Sequence, residues 1–268
     1  MAHRRIRRCF TAFLTRRALW HLQFIPKAFV LFKNPVELLT NYIGLRSDTT
    51  NYKTRTGLNF VNVTAEETEA LVVVFLKCEY GDIDADGDVI DIGANIGAFT
   101  LFSAGSPKTT RVLAFEPMPD TFHRLKENVS LSIAGERVIC VQSAVAATSG
   151  FVRMIPGEDS QSNKTSEVME SSADSAAAIP AISLASVFDA YCVQRCALLK
   201  VDCEGAEYGI LENLPPVYFQ RIYAIRMEVH GRTDGKSPQD LFRFIEKQGF
   251  VVEKPLHYGV IWFRQKNW

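Results

Sequence analysis

The feature that most constrains the fold of this chain is residues 88–100, which read DVIDIGANIGAFT. Residues 89–92 form a short, mostly apolar run of the kind found in a strand that is covered on both faces. Gly93 and Gly97 then bracket a turn into a helix, and glycine allows a backbone to take positive φ or to approach a ligand closely. A plain helix-start turn is the alternative interpretation. The pattern predicts a doubly wound α/β sheet with a nucleotide-like ligand at the carboxyl end of its first strand.

The residues between the two glycines indicate which nucleotide is expected. A dinucleotide-binding turn reads GxGxxG, and its middle glycine lets the pyrophosphate touch the backbone, but here that position is Asn95. Asp91 and nearby carbonyl groups suit an ammonium group, while the N–H groups of the turn suit a carboxylate. S-adenosylmethionine carries both groups and no pyrophosphate. It is therefore the expected cofactor, bound by Asp91, Gly93, Ala94, Asn95 and Gly97.

A second acid follows the next predicted strand. The segment RVLAFEP places Glu116 and Pro117 after the apolar run 112–115, where a carboxylate would accept the ribose hydroxyls of the cofactor. A crossover helix then leads to a third strand at 138–141. The residues expected beside the adenine, at the end of that strand, are Ser143 and Ala144.

Five blocks of the sequence together resemble the FkbM-type S-adenosylmethionine-dependent methyltransferases. In order they are VIDIGANIGAFT, VLAFEPMPDTFHRLKENV, SLASVF, LLKVDCEGAEYGIL and a strand that ends in MEVH. The resemblance covers about residues 50–265. It implies a class I methyltransferase fold, which is a Rossmann-like, seven-stranded sheet, and usually methylation of a hydroxyl group on a sugar, a glycan or a secondary metabolite.

The catalytic residues are expected at the carboxyl ends of two further strands. The buried strand 197–201 is followed by Asp202, Glu204 and Glu207, and the strand 223–229 is followed by His230. Because parallel strands end at one edge of a sheet, these side chains should face the crevice where acceptor and cofactor meet. We expect His230 to act as general base, with Asp202 and Glu204 as positioning groups and without a metal ion.

Two other functions remain open at this stage. An NAD(P)-dependent oxidoreductase on a Rossmann-like fold would explain only the first glycine unit, and the chain has no tyrosine four residues before a lysine. A non-catalytic S-adenosylmethionine-binding module is also compatible with the fold. The (D/N)PP(Y/F) block expected of amine-directed nucleic-acid methyltransferases is missing from the sequence. This favours O-methylation over N-methylation.

Charge and cysteine usage bear on partners and location. The formal net charge is zero, whereas a protein that binds nucleic acid usually presents a basic surface. We therefore expect a small-molecule or glycan hydroxyl acceptor and no nucleic acid.

The six cysteines are scattered without a CxxC pair, which is typical of reduced thiols, and a cytoplasmic location is expected. The sequence does not determine the oligomeric state.

The first residues of the chain differ from the rest. No acid precedes Glu37, whereas this segment holds eight basic residues, which are Arg4, Arg5, Arg7, Arg8, Arg16, Arg17, Lys27 and Lys33. Residues 6–14 carry apolar side chains at helical spacing, as in a basic amphipathic helix. Three interpretations stay open: peripheral membrane contact through residues 1–33, a mitochondrial presequence, or a helix that packs on the catalytic domain.

The expected domain organisation follows from these segments. Residues 1–48 are predicted to be a basic helical extension, and residues 49–268 the methyltransferase domain. Within that domain, residues 157–178 are rich in Ser, Ala and acids with little apolar periodicity, which predicts a mobile loop.

Overall fold

The structure is a computed structural model that describes residues 23–46, 48–155, 164–169, 178–203, 205–230, 237–257 and 259–268. The chain divides into two compact units, Met1–Cys78 and Glu79–Trp268. The predicted boundary after residue 48 is untested and stays a prediction. The amphipathic helix predicted within residues 6–14 lies outside the described residues. In the described part of the chain, no helix is long and apolar enough to cross a membrane.

The first unit combines short helices with a β-hairpin. Its elements are α1 (Phe24–Leu31), α2 (Pro35–Tyr42), β1 (Thr50–Lys53), β2 (Asn59–Val63), α3 (Thr68–Leu71) and a π-helical turn (Val72–Lys77). The β-rich runs on either side of the glycine turn at residues 56–57 predict a hairpin, and the pairing of β1 with β2 confirms it. Thr64 followed by Glu67 is a capping-box signature, and the box is present, because the Thr64 N–H donates to Glu67 and the Glu67 N–H donates to the Thr64 hydroxyl.

Aromatic side chains form the core of this unit. The ring of Phe75 lies 5.4 Å from that of Phe32 and 5.9 Å from that of Phe60, both in edge-on geometry. All three rings are buried. Since Phe32 directly follows α1, these contacts fix the end of that helix against the hairpin and the π-helical turn.

The second unit contains the elements predicted for a doubly wound fold. In chain order they are β3 (Gly87–Ile92), α4 (Ala98–Ala104), β4 (Thr109–Phe115), α5 (Pro119–Ser130), β5 (Val138–Val141), β6 (Ala144–Ala146), β7 (Gly150–Ile155), β8 (Lys164–Met169), β9 (Ala178–Ser183), α6 (Leu184–Ala190), β10 (Cys196–Val201), α7 (Glu207–Glu212), α8 (Pro216–Phe219), β11 (Ala224–Glu228), α9 (Pro238–Lys247), β12 (Phe250–His257) and β13 (Val260–Gln265).

The central sheet confirms the predicted topology. The described residues form seven strands in the order β12-β13-β11-β10-β3-β4-β5. The five strands from β11 to β5 are parallel, and β13 is antiparallel to both of its neighbours. Every residue of β3 and β10 is buried, which explains why both strands read as nearly continuous apolar runs. The strand order reverses at β3, because β4 and β5 follow on one side of it and β10 and β11 lie on the other. The crevice expected for a ligand therefore opens at the carboxyl ends of β3 and β10.

A second, smaller sheet corrects one prediction. Strands β6, β9, β7 and β8 pair in that order, and β8 lies within the segment 157–178 that the sequence predicts as a mobile loop. Lys164–Met169 form a strand and not a loop, because antiparallel pairing with β7 supplies hydrogen bonds that need no apolar periodicity. The mobility of the segment stays a prediction. Residues 157–163 and 170–177 lie outside the described residues.

Candidate active site

The glycine turn after β3 lies directly against the end of β10. Gly93 has φ +74°, and a Cβ atom there would lie 1.8 Å from the carbonyl oxygen of Asp202. Gly97 has φ +89°, and its Cβ would lie 2.7 Å from Cδ1 of Leu125. Both positions therefore require glycine for conformational and steric reasons. The close approach of Gly93 to Asp202 joins the two strand ends that carry the predicted site.

The N–H groups of this turn already have acceptors within the protein. The N–H groups of Gly93 and Ala94 donate to the carbonyl of Phe115, and that of Gly97 donates to the carbonyl of Ala94. The Asn95 N–H donates to Glu116, and the Ile96 N–H donates to the side chain of Asn95. The expectation that the turn leaves its N–H groups for the cofactor carboxylate is therefore wrong for this conformation.

Glu116 lies where the sequence predicts it, at the end of β4. Its Oε2 accepts the Asn95 N–H at 3.0 Å and its Oε1 accepts the Met118 N–H at 2.9 Å. Burial raises the pKa of this carboxyl group to about 7, although the two N–H groups act in the opposite direction. Each oxygen has a further lone pair, so the carboxylate fits a role as acceptor for two ribose hydroxyls. Pro117, which follows it, is half-buried.

Asp91 is held from two sides inside the protein. Thr100 donates its hydroxyl to Oδ2 at 2.6 Å, and Nζ of Lys200 lies 3.2 Å from Oδ1. Lys200 also donates to the carbonyl of Gly93 at 2.7 Å and lies 3.5 Å from Oδ2 of Asp202. The lysine ammonium thus sits beside the same carboxylate and carbonyl that the sequence assigns to the ammonium group of the cofactor. Direct contact of Asp91 with the cofactor stays a prediction.

Lys200 is the residue of this cluster that the sequence interpretation missed. Burial alone would lower the pKa of its ammonium group, but the carboxylates of Asp91 and Asp202 outweigh burial and raise that pKa. The side chain is therefore a fixed positive charge between two acids. The only sequence signal for it is a lysine within the otherwise apolar run ALLKV.

Asp202 faces the crevice from the end of β10. Tyr80 donates its hydroxyl to Oδ2 at 2.9 Å. Burial and the nearby Asp202 raise the pKa of Tyr80 well above its ordinary value, so the phenol stays a donor. The tyrosine ring also packs against Phe99, with 5.3 Å between the ring centroids. Asp202 is thus positioned by a protonated phenol and a lysine ammonium.

His230 pairs with a buried glutamate at the other side of the crevice. Its Nδ1 lies 2.7 Å from Oε1 of Glu207, a side chain with no solvent exposure, while the histidine side chain is 23% exposed. The same Oε1 accepts the Gly205 N–H at 3.1 Å, which fixes the carboxylate at the start of α7. The sequence places Glu207 towards the crevice but assigns orientation of the histidine to Asp202 and Glu204. The structure brings Glu207 to His230 instead, and Glu204 lies outside the described residues.

Three groups in this region have the chemistry of cation ligands. Asp202, Glu228 and His230 each offer one donor atom, and these atoms lie within 4.8 Å of one another. Two carboxylates and an imidazole are a donor set that divalent cations accept. The prediction of a reaction without a metal ion is therefore open to a direct test by chelation.

The residues expected near the adenine are where the chain passes from the central sheet to the smaller sheet of the second unit. Ser143 follows β5 and Ala144 begins β6, and both are buried. The Ser143 hydroxyl donates to the carbonyl groups of Ala144 and Pro180, and its N–H donates to the carbonyl of Val141. Their contact with adenine stays a prediction.

Comparison with known proteins finds a matching family model and similar named proteins. The sequence model of the family described as the methyltransferase FkbM domain matches residues 91–252. Among named proteins, the chain is 28% identical over 172 residues to the hexuronic acid methyltransferase AglP of Haloferax volcanii, covering 64% of this chain and 66% of that protein. It is 25% identical over 194 residues to the methyltransferase sdnD of Sordaria araneosa, covering 62% of this chain and 74% of that protein.

A solved structure is also similar. A crystal structure of a methyltransferase FkbM from Methylobacillus flagellatus aligns with a TM-score of 0.43 and 13% sequence identity. The alignment covers 87% of this chain and 59% of that one.

Proposed function

Since this chain belongs to the FkbM methyltransferase family, whose domain spans residues 91–252, we propose that it methylates a hydroxyl group of a sugar, a glycan or a secondary metabolite. Family membership makes the protein an S-adenosylmethionine-dependent methyltransferase, which sets aside the oxidoreductase alternative. When bound, S-adenosylmethionine supplies a methyl group on an electrophilic sulfonium. Glu116 would hold the ribose hydroxyls, and the other predicted cofactor residues would contact the rest of the cofactor.

The observation that carries the proposal is the pairing of His230 with Glu207. A hydroxyl group is a weak nucleophile and gains from a base that takes its proton as the new bond forms, whereas an unprotonated amine does not need one. An Nδ1–H group that donates to the Glu207 carboxylate leaves the lone pair of the imidazole on Nε2. The buried carboxylate also stabilises the imidazolium that forms when Nε2 accepts a proton.

Two effects of known size account for the chemistry. Alignment of the acceptor oxygen with the reacting methyl group can supply about 7–11 kcal/mol of the barrier reduction. General base catalysis adds a factor of about 10²–10⁴. In the proposal Asp202 contacts the acceptor, because Tyr80 and Lys200 hold its carboxylate at the crevice. Glu204 keeps its predicted role as a positioning group.

The name of one related protein supports a sugar-like acceptor. The hexuronic acid methyltransferase AglP acts, by its name, on an acidic sugar, and the alignment with it covers 64% of this chain. We therefore place hydroxylated sugars and uronic acids first among the acceptors to be tested.

The test is transfer of a labelled methyl group to a panel of acceptors. Uronic acids, neutral sugars and polyketide-like alcohols would be incubated with the protein and tritiated S-adenosylmethionine, with the matching deoxy compounds as controls. A methyl ether survives mild alkali and a methyl ester does not, so alkaline treatment before mass analysis identifies the atom that is methylated. An alkali-labile product or a methylated amine contradicts the proposal. Cofactor binding without transfer to any acceptor would favour the non-catalytic module.

A further inference from the structure

Helix α1 in the first unit exposes an apolar face. The helix buries Phe24 and Ala28 on one side. Its other side is formed by residues that solvent reaches, although none of them is polar; they are Ile25, Pro26, Phe29 and Val30. Phe29 is 48% exposed and Val30 is 68% exposed. A helix on the surface of a globular domain usually presents polar side chains on this side, so the face indicates a contact with something apolar.

Exposed apolar side chains are concentrated around this helix. Half of the large apolar residues that are exposed in the described part of the chain lie between residues 25 and 45; they are Ile25, Phe29, Val30, Val36, Ile43 and Leu45. Scattered single residues of this kind need no explanation, but their concentration in α1, α2 and the turn after α2 indicates an interaction surface.

Cations lie next to the apolar face. Lys33, Lys53 and Arg55 are exposed. Main-chain hydrogen bonds join the end of α1 to Lys53, the last residue of β1, and to Arg55 just beyond it. The Arg55 side chain donates from Nε to the carbonyl of Phe29 at 3.1 Å, which places a guanidinium beside the exposed phenylalanine. Lys27 does not belong to this rim, because its Nζ donates to the carbonyl of Leu76.

The charge of the whole unit has the same sign. Residues 1–78 hold twelve Lys and Arg against five Asp and Glu, a formal net charge of +7, and the remaining residues therefore carry −7. A basic surface alone would suit nucleic acid, but phosphate groups make no apolar contact with an exposed phenylalanine and valine. An apolar face with a cationic rim matches the boundary between the acyl chains and anionic headgroups of a membrane.

We propose that the first unit docks on an anionic membrane surface through the exposed face of α1, with Phe29 and Val30 inserted and Lys33, Lys53 and Arg55 at the headgroups. Apolar insertion or basic charge alone gives weak membrane binding, and the combination of the two gives stable binding. The proposal does not depend on the chemistry of the acceptor, since it uses no residue of the candidate active site.

The experiment is co-sedimentation of the full-length chain with vesicles. Vesicles of phosphatidylcholine with phosphatidylserine would be compared with vesicles of phosphatidylcholine alone. We expect binding to the anionic vesicles that is weakened by added salt, and at least about a tenfold loss of binding in the double variant Phe29→Ser/Val30→Ser. The matched control is Ile133→Ser, because Ile133 is exposed in the other unit and should bind like the wild type.

Four outcomes would overturn the proposal. The first two are absence of binding to anionic vesicles and equal binding to neutral vesicles. The third is unchanged binding of the double variant, which would assign membrane contact to residues 1–22. The fourth is a change of oligomeric state in that variant, which would show that the face binds a second copy of the chain. Calorimetry of S-adenosylmethionine binding provides the folding check. Equal cofactor affinity in wild type and variant shows that the loss of vesicle binding is local.

Discussion

Nδ1 of His230 lies 2.7 Å from Oε1 of Glu207, and the glutamate is fully buried while the imidazole reaches the crevice. Oε2 of Glu207 has no hydrogen-bond partner among the described residues, so the carboxylate is directed at the histidine and the backbone at the start of α7. A buried acceptor on Nδ1 fixes both the orientation and the tautomer of an imidazole. This pair is therefore the part of the site most suited to proton transfer.

Replacing His230 with Ala should remove the base and leave the cofactor site intact. We expect kcat to fall by about 10²-fold or more with little change in S-adenosylmethionine affinity. Single-turnover kinetics would measure the chemical step, and calorimetry would measure cofactor binding. A fully active variant would show that another residue takes the proton, and Asp202 would be the next to test.

Replacing Glu207 with Gln should keep a hydrogen bond to the ring and remove the negative charge. Without that charge the imidazolium is less stable, so we expect a lower kcat and a shift of the acidic limb of the kcat/KM profile to lower pH. Glu212→Gln, at the opposite end of the same helix, is the matched control. If the profile of the Glu207 variant coincides with that of the wild type, the glutamate only stabilises the turn.

We expect the Glu116 carboxyl group to make cofactor binding dependent on pH. Its pKa is raised from 4.5 to about 7, so the folded protein holds this proton between those values and the unfolded chain does not. Stability contributed by the protonated form is therefore lost as pH rises from about 4.5 to about 7. Ribose hydroxyls donate to the ionised form, so cofactor affinity should rise with pH up to about 7, by at most about tenfold per unit.

Calorimetry at several pH values, in buffers that differ in ionisation enthalpy, would measure this effect and the proton released on binding. Glu116→Gln should bind independently of pH across this window. Glu116→Ala leaves the ribose hydroxyls without an acceptor and should lose about 1–3 kcal/mol of binding free energy. Wild-type affinity in the Ala variant would remove Glu116 from the cofactor site.

The central fold could be predicted because its strands and turns carry local signals. The apolar run and glycines after residue 88 place β3. Ser237 as N-cap and Pro238 at the first helical position predict the start of α9, and the structure begins the helix at Pro238. Strand β8 carries no such signal, because its hydrogen bonds come from residues of β7 that lie nine to eighteen positions earlier in the sequence. Local periodicity in a sequence does not predict which segments pair with each other.

The site was predicted in its positions but not in its pairings. Strand topology alone brings Asp91, Asp202 and His230 to one edge of the sheet. The pairing of Lys200 with Asp91 depends on their being neighbours in the register of β10 and β3, which the sequence does not specify. The pairing of Glu207 with His230 likewise depends on how α7 meets the end of β11.

Chelation tests whether Asp202, Glu228 and His230 hold a divalent cation. We expect turnover to be unchanged after treatment with EDTA and after addition of magnesium, because the proposed base needs an unliganded Nε2. Glu228→Gln should then lower activity less than His230→Ala does. Loss of turnover with EDTA and recovery with magnesium or zinc would make the three residues cation ligands, and the assignment of His230 as base would be wrong.

Lys200 should contribute more to stability than any exposed lysine. Replacement with Met removes the cation between Asp91 and Asp202 and leaves a buried carboxylate without its ion pair. Breaking a buried pair in this way costs about 3–5 kcal/mol of the free energy of unfolding, measured by urea denaturation. The double variant Lys200→Met/Asp91→Asn should recover part of this loss, because the second change removes the unpaired charge.

Lys247→Met, at an exposed position on α9, is the control, and its free energy of unfolding should lie within about 0.5 kcal/mol of that of the wild type. A loss in Lys200→Met no larger than in the control would show that the buried acids do not need the lysine to remain folded.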